Sequence, residues 1–183
     1  MERLQLTDDC HLRLLEEADA EELYALVANN RDYLAEWMPW AADQTLERTL
    51  NFVRIARARH AEGNGFEMAM VTGGRIVGAI GLSSVDWVAG ATSIGYWLDE
   101  AHRGRGLMTR AVQALTDHAF YEMGLHRVQI QVAENNLRSR AIPERLGFEQ
   151  EGLLREAERV GDRYHDLVVY SKLSSRPGPA TAS

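Results

Sequence analysis

Residues 103–110 read Arg-Gly-Arg-Gly-Leu-Met-Thr-Arg, and they join a strand-like segment to a long amphipathic one. The apolar residues of the amphipathic segment recur at helical spacing, at Leu107, Ala111, Leu115, Ala119 and Met123. This spacing predicts a helix from Gly106 to Met123, and the two glycines permit a tight turn before it. The free N–H groups and positive dipole end of a helix N-terminus attract anions. The stretch therefore predicts a phosphate-binding turn.

Other glycine-rich turns fit the stretch less well. A P-loop requires Gly-Lys-Ser/Thr, and residues 103–110 contain no lysine. A dinucleotide-binding fingerprint requires a third glycine, and Thr109 stands where one is needed. A plain left-handed connection between a strand and a helix also uses such glycines, so the turn alone leaves this alternative open.

Composition narrows the class of protein. A length of 183 residues with 45% hydrophobic and 26% charged residues is typical of one soluble domain. The single cysteine, Cys10, excludes an intramolecular disulfide and favours a reducing cytoplasm. The net charge of −7 disfavours nucleic acid as a partner. The N-terminal residues are not a signal segment, and no stretch is apolar enough for a membrane span.

Hydrophobic periodicity and turn residues predict the order β-α-α-β-β-β-α-β-α-β-β, which is a mixed α/β sheet with flanking helices. The predicted strands cover 12–15, 66–71, 76–82, 92–98, 127–132, 148–158 and 164–173. The first predicted helix begins after Asp19, and three further predicted helices cover 45–62, 106–123 and 136–146. Residues 33–40 are rich in aromatic side chains and fit either a helix packed on the sheet or one wall of a substrate groove. We expect one domain over 1–173 and a disordered tail over 174–183.

Several motifs, in order, resemble the GNAT superfamily of N-acetyltransferases, which bind acetyl-CoA. Arg103-x-x-Gly106 resembles the start of its R/Q-x-x-G-x-G/A signature, with Met108 in the last position. Asn136-x-x-Ser139 and Glu144-Arg145-Leu146-Gly147-Phe148 resemble two further segments of the superfamily. Glu151-Gly152, Glu158 and Tyr164-His165-Asp166 resemble the RimJ/RimL branch, which acetylates protein N-termini, including those of ribosomal proteins. The similarity extends from about Leu12 to Leu173.

The resemblance implies a single-domain GNAT fold, with a mostly antiparallel central sheet that is splayed in the middle to hold acetyl-CoA. It implies backbone contacts to the pantetheine arm from Trp97 and Leu98, and contacts to the pantetheine or 3′-phosphate from Asn136 and Arg138. The implied pyrophosphate-binding residues are Arg103, Gly104, Arg105, Gly106, Leu107, Met108 and Thr109. Asn136 has an alternative role as the cap of its helix.

The resemblance also implies the catalytic residues. Glu158 matches the glutamate of the RimL branch, and a carboxylate is a suitable base for an α-amine with a pKa of about 8. The neighbouring acids Glu149, Glu151 and Glu156 leave a solvated surface role for Glu158 open. Ser139 is the candidate donor to the coenzyme sulfur, because many family members use a tyrosine where this chain has Pro143, which lacks a hydroxyl. A plain helical role for Ser139 is the alternative, and His165 is a second candidate base.

The implied reaction is acetyl transfer from acetyl-CoA to the N-terminal α-amine of a protein or peptide, such as a ribosomal protein. Two alternatives stay open, namely a small-molecule amine as acceptor and a non-catalytic acyl-CoA-binding module. The acceptor contacts are expected from residues 33–40 and 85–91. We further expect a cytoplasmic homodimer that uses neither a metal nor a nucleic acid.

Overall fold

The computed structural model describes residues 3–175. Most of the predicted tail, from residue 176 on, lies outside the described residues. The strands are β1 Arg3–Gln5, β2 Cys10–Leu14, β3 Phe66–Thr72, β4 Arg75–Asp86, β5 Ala91–Leu98, β6 Arg127–Ala133, β7 Glu149–Val160 and β8 Arg163–Leu173. The α-helices are α1 Ala20–Asn29, α2 Arg31–Leu34, α3 Leu46–Ala61, α4 Leu107–Tyr121 and α5 Leu137–Arg145.

The strands form one eight-stranded sheet in the order β1-β2-β3-β4-β5-β6-β8-β7. All neighbours are antiparallel except β5 and β6, which are parallel and pair only over Ala91–Ser93 and Arg127–Gln129. Beyond these residues β5 pairs only with β4, while β6 pairs only with β8. The two central strands therefore diverge, and the expected splay in the middle of the sheet is confirmed.

Side chains alternate across the sheet, so that each strand contributes to two cores. Met68, Met70 and Ile80 face α4, in a cluster with Ala111 and Leu115. The intervening residues face the opposite side and pack with α1 and α3, in a cluster of Leu15, Leu23, Val53, Ala69, Val71 and Ile76. The central strands are thus covered on both faces, and the cleft between β5 and β6 opens inside a rigid frame.

Local signals place most elements correctly. The predicted helix over 45–62 is α3, which Thr45 caps by accepting a hydrogen bond from the Arg48 N–H (3.2 Å). The predicted hairpin turn at residues 72–75 joins β3 to β4, with φ of 55° and 77° at Gly73 and Gly74. Strand β1 was not predicted, because its three residues carry one apolar side chain, and the predicted β4 ended at residue 82 instead of Asp86.

Candidate active site

The turn before α4 has the backbone that an anion site requires. Gly104 and Gly106 adopt φ of 75° and 73°, a left-handed region that glycine occupies without strain. The first helical hydrogen bond is donated by Arg110 to the Gly106 carbonyl (3.1 Å). The amides of residues 107–109 therefore have no acceptor within residues 3–175. A Cβ built on either glycine meets no atom within 4 Å, so the turn is open to a ligand.

The arginines of the turn are only partly available to a ligand. Arg103 pairs with Glu100 and lies over the Tyr33 ring, 4.4 Å from its centroid. Arg105 donates to the Ala101 carbonyl (3.2 Å). The guanidinium of Arg103 thus ties the turn to the segment that contains α2, which leaves the backbone of Arg103 for the predicted contact.

Beyond their paired residues, β5 and β6 leave backbone groups exposed in the cleft. The Asp99 N–H donates to the Val77 carbonyl on β4 (2.7 Å). Because backbone groups alternate in direction along an antiparallel strand, the N–H and C=O of Leu98 and Tyr96 face the cleft. Those of Trp97 face β4. The predicted contact from the Trp97 backbone is therefore better placed at Tyr96.

A cavity of about 450 Å³ extends through the cleft from one face of the sheet to the other. Its lining includes Gly95 and Trp97, which face α3, and also Ile94 and Tyr96, which face α4. Of the predicted site residues, Trp97, Asn136, Ser139 and Glu158 line this cavity. Residues 103–109, Leu98 and Arg138 lie outside its lining.

Ser139 is held at the α4 side of the cavity. Asn136 caps α5 by accepting a hydrogen bond from the Ser139 N–H (3.1 Å), as its alternative role predicts. The Ser139 hydroxyl donates to the Tyr96 hydroxyl (3.2 Å), which in turn donates to the Ser139 carbonyl (3.1 Å). Burial raises the pKa of Tyr96 to about 12, so this hydroxyl stays neutral. In sequence, Tyr96 was predicted only as a strand residue, because its contact with α5 spans 43 positions.

Glu158 lies on the opposite face of the cavity. It pairs across the hairpin with His165, and paired residues of an antiparallel ladder project to the same face. The ring of His165 is 6.0 Å from that of Trp37, which also lines the cavity. Burial raises the pKa of the Glu158 carboxyl, and His165 opposes this shift.

The other acids of β7 have different surroundings. Glu151 accepts hydrogen bonds from Arg127 and Ser171, which lower its pKa to about 2. Glu156 has a φ of 50° in a bulge, where its N–H donates to Asp166 Oδ1 (2.7 Å). Within β7, Glu158 is the acid that lines the cavity.

The side of the cavity that faces α3 is aromatic, with a carboxyl at its end. Trp37, Trp40, Phe52 and Trp97 line it, and the Trp40 and Trp97 rings meet edge to face at 6.0 Å. From the predicted acceptor segments, Trp37, Met38 and Trp40 of residues 33–40 are in the lining, whereas no residue of the segment 85–91 is. Glu67 also lines the cavity. The sequence analysis did not single it out, since nothing near it in the chain marks a site.

Within residues 3–175, no helix is long and apolar enough to cross a membrane. The same residues contain no group of three or more His, Cys, Asp or Glu side chains that could hold a metal ion.

Comparison with known proteins agrees with this geometry. The family model of the acetyltransferase (GNAT) domain matches residues 10–149. YdaF of Bacillus subtilis, a candidate ribosomal N-acetyltransferase, is 38% identical over 88% of this chain and 90% of its own length. The ribosomal-protein-serine acetyltransferase of Escherichia coli is 28% identical over 94% of this chain and 97% of its own length. The solved structure of RimL, a ribosomal L7/L12 α-N-protein acetyltransferase in complex with coenzyme A, matches with a TM-score of 0.90 and 26% identity. The match covers 94% of this chain and 98% of the RimL chain. The chain therefore belongs to the GNAT family of acetyltransferases.

Proposed function

We propose that this enzyme transfers the acetyl group of acetyl-CoA to the N-terminal α-amine of a protein or peptide. The observation that carries the proposal is the cavity that passes through the sheet, with Glu158 on one face and Ser139 on the other. Acetyl transfer needs a proton acceptor beside the amine and a hydrogen-bond donor beside the departing sulfur. A cavity that separates these groups suits two substrates that enter from opposite faces.

Glu158 is the proposed base. An α-ammonium group has a pKa of about 8, so its proton must be removed before the nitrogen attacks. Burial raises the pKa of Glu158 toward the pKa of the amine. This makes Glu158 a better proton acceptor than an exposed glutamate. Glu158 takes one proton from the ammonium and passes it to solvent. The new C–N bond then replaces the C–S bond, and the second proton that the nitrogen loses ends on the departing sulfur as the coenzyme thiol.

Ser139 is the proposed donor to the thiolate sulfur. Its one hydroxyl proton is donated to the Tyr96 hydroxyl before the reaction, so in the proposed step the hydroxyl turns from Tyr96 to the sulfur while Asn136 holds its backbone. Tyr96 and Asn136 thus position Ser139 beside the cavity. Many family members use a tyrosine hydroxyl for this role, but this chain has Pro143 at that position, so Ser139 is proposed instead. The cleft-facing N–H groups of β5 are suitable donors to the acetyl oxygen as negative charge develops on it.

The chain's residues fit acetyl-CoA, which supplies an acetyl thioester. The free amides of residues 107–109 and the open glycine turn suit a pyrophosphate. Tyr96 and Leu98 offer a strand edge to the amides of the pantetheine arm, and the exposed Arg138 offers a cation to the 3′-phosphate. The terminal amine of a ribosomal protein is the proposed acceptor because relatives carry that activity in their names. A homodimer in the cytoplasm completes the proposal.

The test is incubation of the enzyme with acetyl-CoA and a panel of N-terminal peptides and small amines. Mass spectrometry locates the acetyl group, and release of the coenzyme thiol gives rates. We expect peptide α-acetylation, with kcat/KM about 10²- to 10⁴-fold lower for Glu158→Gln and about 10-fold lower or more for Ser139→Ala.

Matched controls are Glu149→Gln on the same strand and the exposed Ser84→Ala, both outside the cavity lining. If small amines are acetylated and no peptide is, the acceptor is a small-molecule amine and not a protein or peptide N-terminus. Binding of coenzyme A without turnover of any acceptor would favour a non-catalytic module.

A further inference from the structure

A row of three residues crosses the sheet beside the aromatic side of the cavity. Glu67 on β3 pairs with Gly81 on β4, which pairs with Gly95 on β5. The two glycines leave the sheet bare on the face that Glu67 occupies. A Cβ on Gly81 would overlap Glu67 Oε2, which means that the carboxyl lies directly over Gly81. A Cβ on Gly95 would meet no atom within 4 Å, so the space beyond is open cavity.

The two oxygens of Glu67 have different surroundings. Oε1 accepts a hydrogen bond from Arg59 Nη2 at 3.1 Å. Oε2 accepts none from any side chain or backbone group in residues 3–175, although the Glu67 side chain is only 15% exposed. Burial raises the pKa of Glu67 to about 7, and Arg59 opposes this shift. The carboxyl is largely buried but lines the cavity, so a ligand that enters the cavity can supply the donor that Oε2 lacks.

Resting on the proposed function, we infer that Glu67 Oε2 determines acceptor specificity by taking a hydrogen bond from a hydroxyl on the first residue of the acceptor. The carboxyl lies over Gly81, one strand spacing or about 5 Å from β5. A serine hydroxyl close to the reacting amine can span this distance.

Charge balance selects a neutral donor over a cation. The ionised form of Glu67 is already paired with Arg59, and the acceptor ammonium has Glu158 as its proposed partner. A second ammonium on the acceptor would place an extra positive charge in a largely buried pocket, which is unfavourable. A hydroxyl satisfies Oε2 and leaves the balance unchanged.

The experiment compares three peptides that differ only in their first residue, which is serine, alanine or diaminobutyrate. For the wild-type enzyme we expect kcat/KM to be about 10- to 100-fold higher for the serine peptide than for the alanine peptide. In the variant Arg59→Met with Glu67→Met both charges are removed together, which avoids a buried unpaired arginine. The serine-to-alanine ratio should fall to about 1.

Two further variants keep the test decisive. Glu67→Asp retains the charge but withdraws the carboxyl by one methylene, and it should also lower the ratio. The matched control Arg57→Met with Glu62→Met makes the same charge change at exposed positions of α3 and its end, and it should keep the wild-type ratio.

Each outcome has one meaning. Equal wild-type rates for serine and alanine peptides would overturn the inference and leave the proposed function intact. A preference for the diaminobutyrate peptide would show that Glu67 binds a cation and not a neutral hydroxyl. An unchanged serine-to-alanine ratio in the double variant would show that Glu67 does not contact the first side chain of the acceptor. Absence of acetylation of all three would instead reject the proposed function.

Discussion

Gly106 directly precedes α4 and Gly124 follows its C-terminal end, and the two share a left-handed backbone but differ in proximity to the proposed pyrophosphate site. Their φ angles are 73° and 71°, and a Cβ built on either meets no atom within 4 Å. An L-residue in this left-handed region costs about 1–2 kcal/mol. Gly106→Ala and Gly124→Ala should therefore destabilise the fold equally, each lowering Tm by about 2–4 °C per kcal/mol in a protein of this size.

Only the change at Gly106 should weaken coenzyme binding. A methyl group there enters the space where a phosphate would approach the free amides of residues 107–109. Loss of one hydrogen bond to a charged group costs about 1.5–3 kcal/mol, which corresponds to about a 10- to 100-fold rise in Kd. The increase should appear in Gly106→Ala and be absent in Gly124→Ala.

Calorimetric titration with coenzyme A measures Kd, and thermal unfolding with and without the ligand gives an independent value, because binding to the native state raises Tm. Equal Kd values for both variants, despite equal loss of stability, would refute the placement of the pyrophosphate at this turn. A much larger destabilisation at one position would show that the two glycines are not matched in cost.

Further outcomes follow from the same geometry. Gly95→Leu should fill the open cavity and raise KM for the acceptor peptide about 10-fold or more while Kd for coenzyme A changes little, as steady-state kinetics and calorimetry would show. If Glu158 is the base, kcat/KM should fall as pH drops through its raised pKa, so the acid limb of the rate profile should lie above the ordinary glutamate value of 4.5 and disappear in Glu158→Gln. Glu156→Gly should raise the free energy of unfolding in urea by up to about 1 kcal/mol, because it relieves a φ of 50°, whereas Glu149→Gly should lower it. The pKa of Glu151 is about 2 in the folded state, so its stabilisation is present above about pH 4.5 and is lost as pH falls toward 2; Glu151→Gln should destabilise at about pH 6 but not at about pH 2.

Sequence patterns predicted the elements whose signals are local. The stripe of α4, the cap at Thr45 and the glycine turn at residues 72–75 each depend on a few consecutive residues, and all three match the structure. Strand β1 escaped because its three residues show no alternation. The divergence of β5 and β6 has no local signal, and only the resemblance to a known family predicted it.

Contacts between distant residues limited the prediction of the site. The hydroxyl of Tyr96 reaches Ser139 across 43 positions, and the free oxygen of Glu67 depends on two glycines on other strands. In sequence, Tyr96 is one aromatic residue of a strand and Glu67 is one acid among 27 acidic residues. Their importance arises from register, which a single sequence does not reveal.

The acids of β7 show how structure selects among equivalent sequence candidates. Four glutamates stand within ten positions, and spacing alone cannot separate them. The bulge at Glu156, held by Asp166, shifts the register between Leu154 and Glu158, so that Glu158 pairs with His165, whose ring lies beside Trp37 of the cavity lining. Glu151 forms a salt bridge with Arg127. A proposed proton acceptor should be desolvated and free of a fixed cation, and Glu158 is the glutamate of β7 that lines the cavity and meets both conditions.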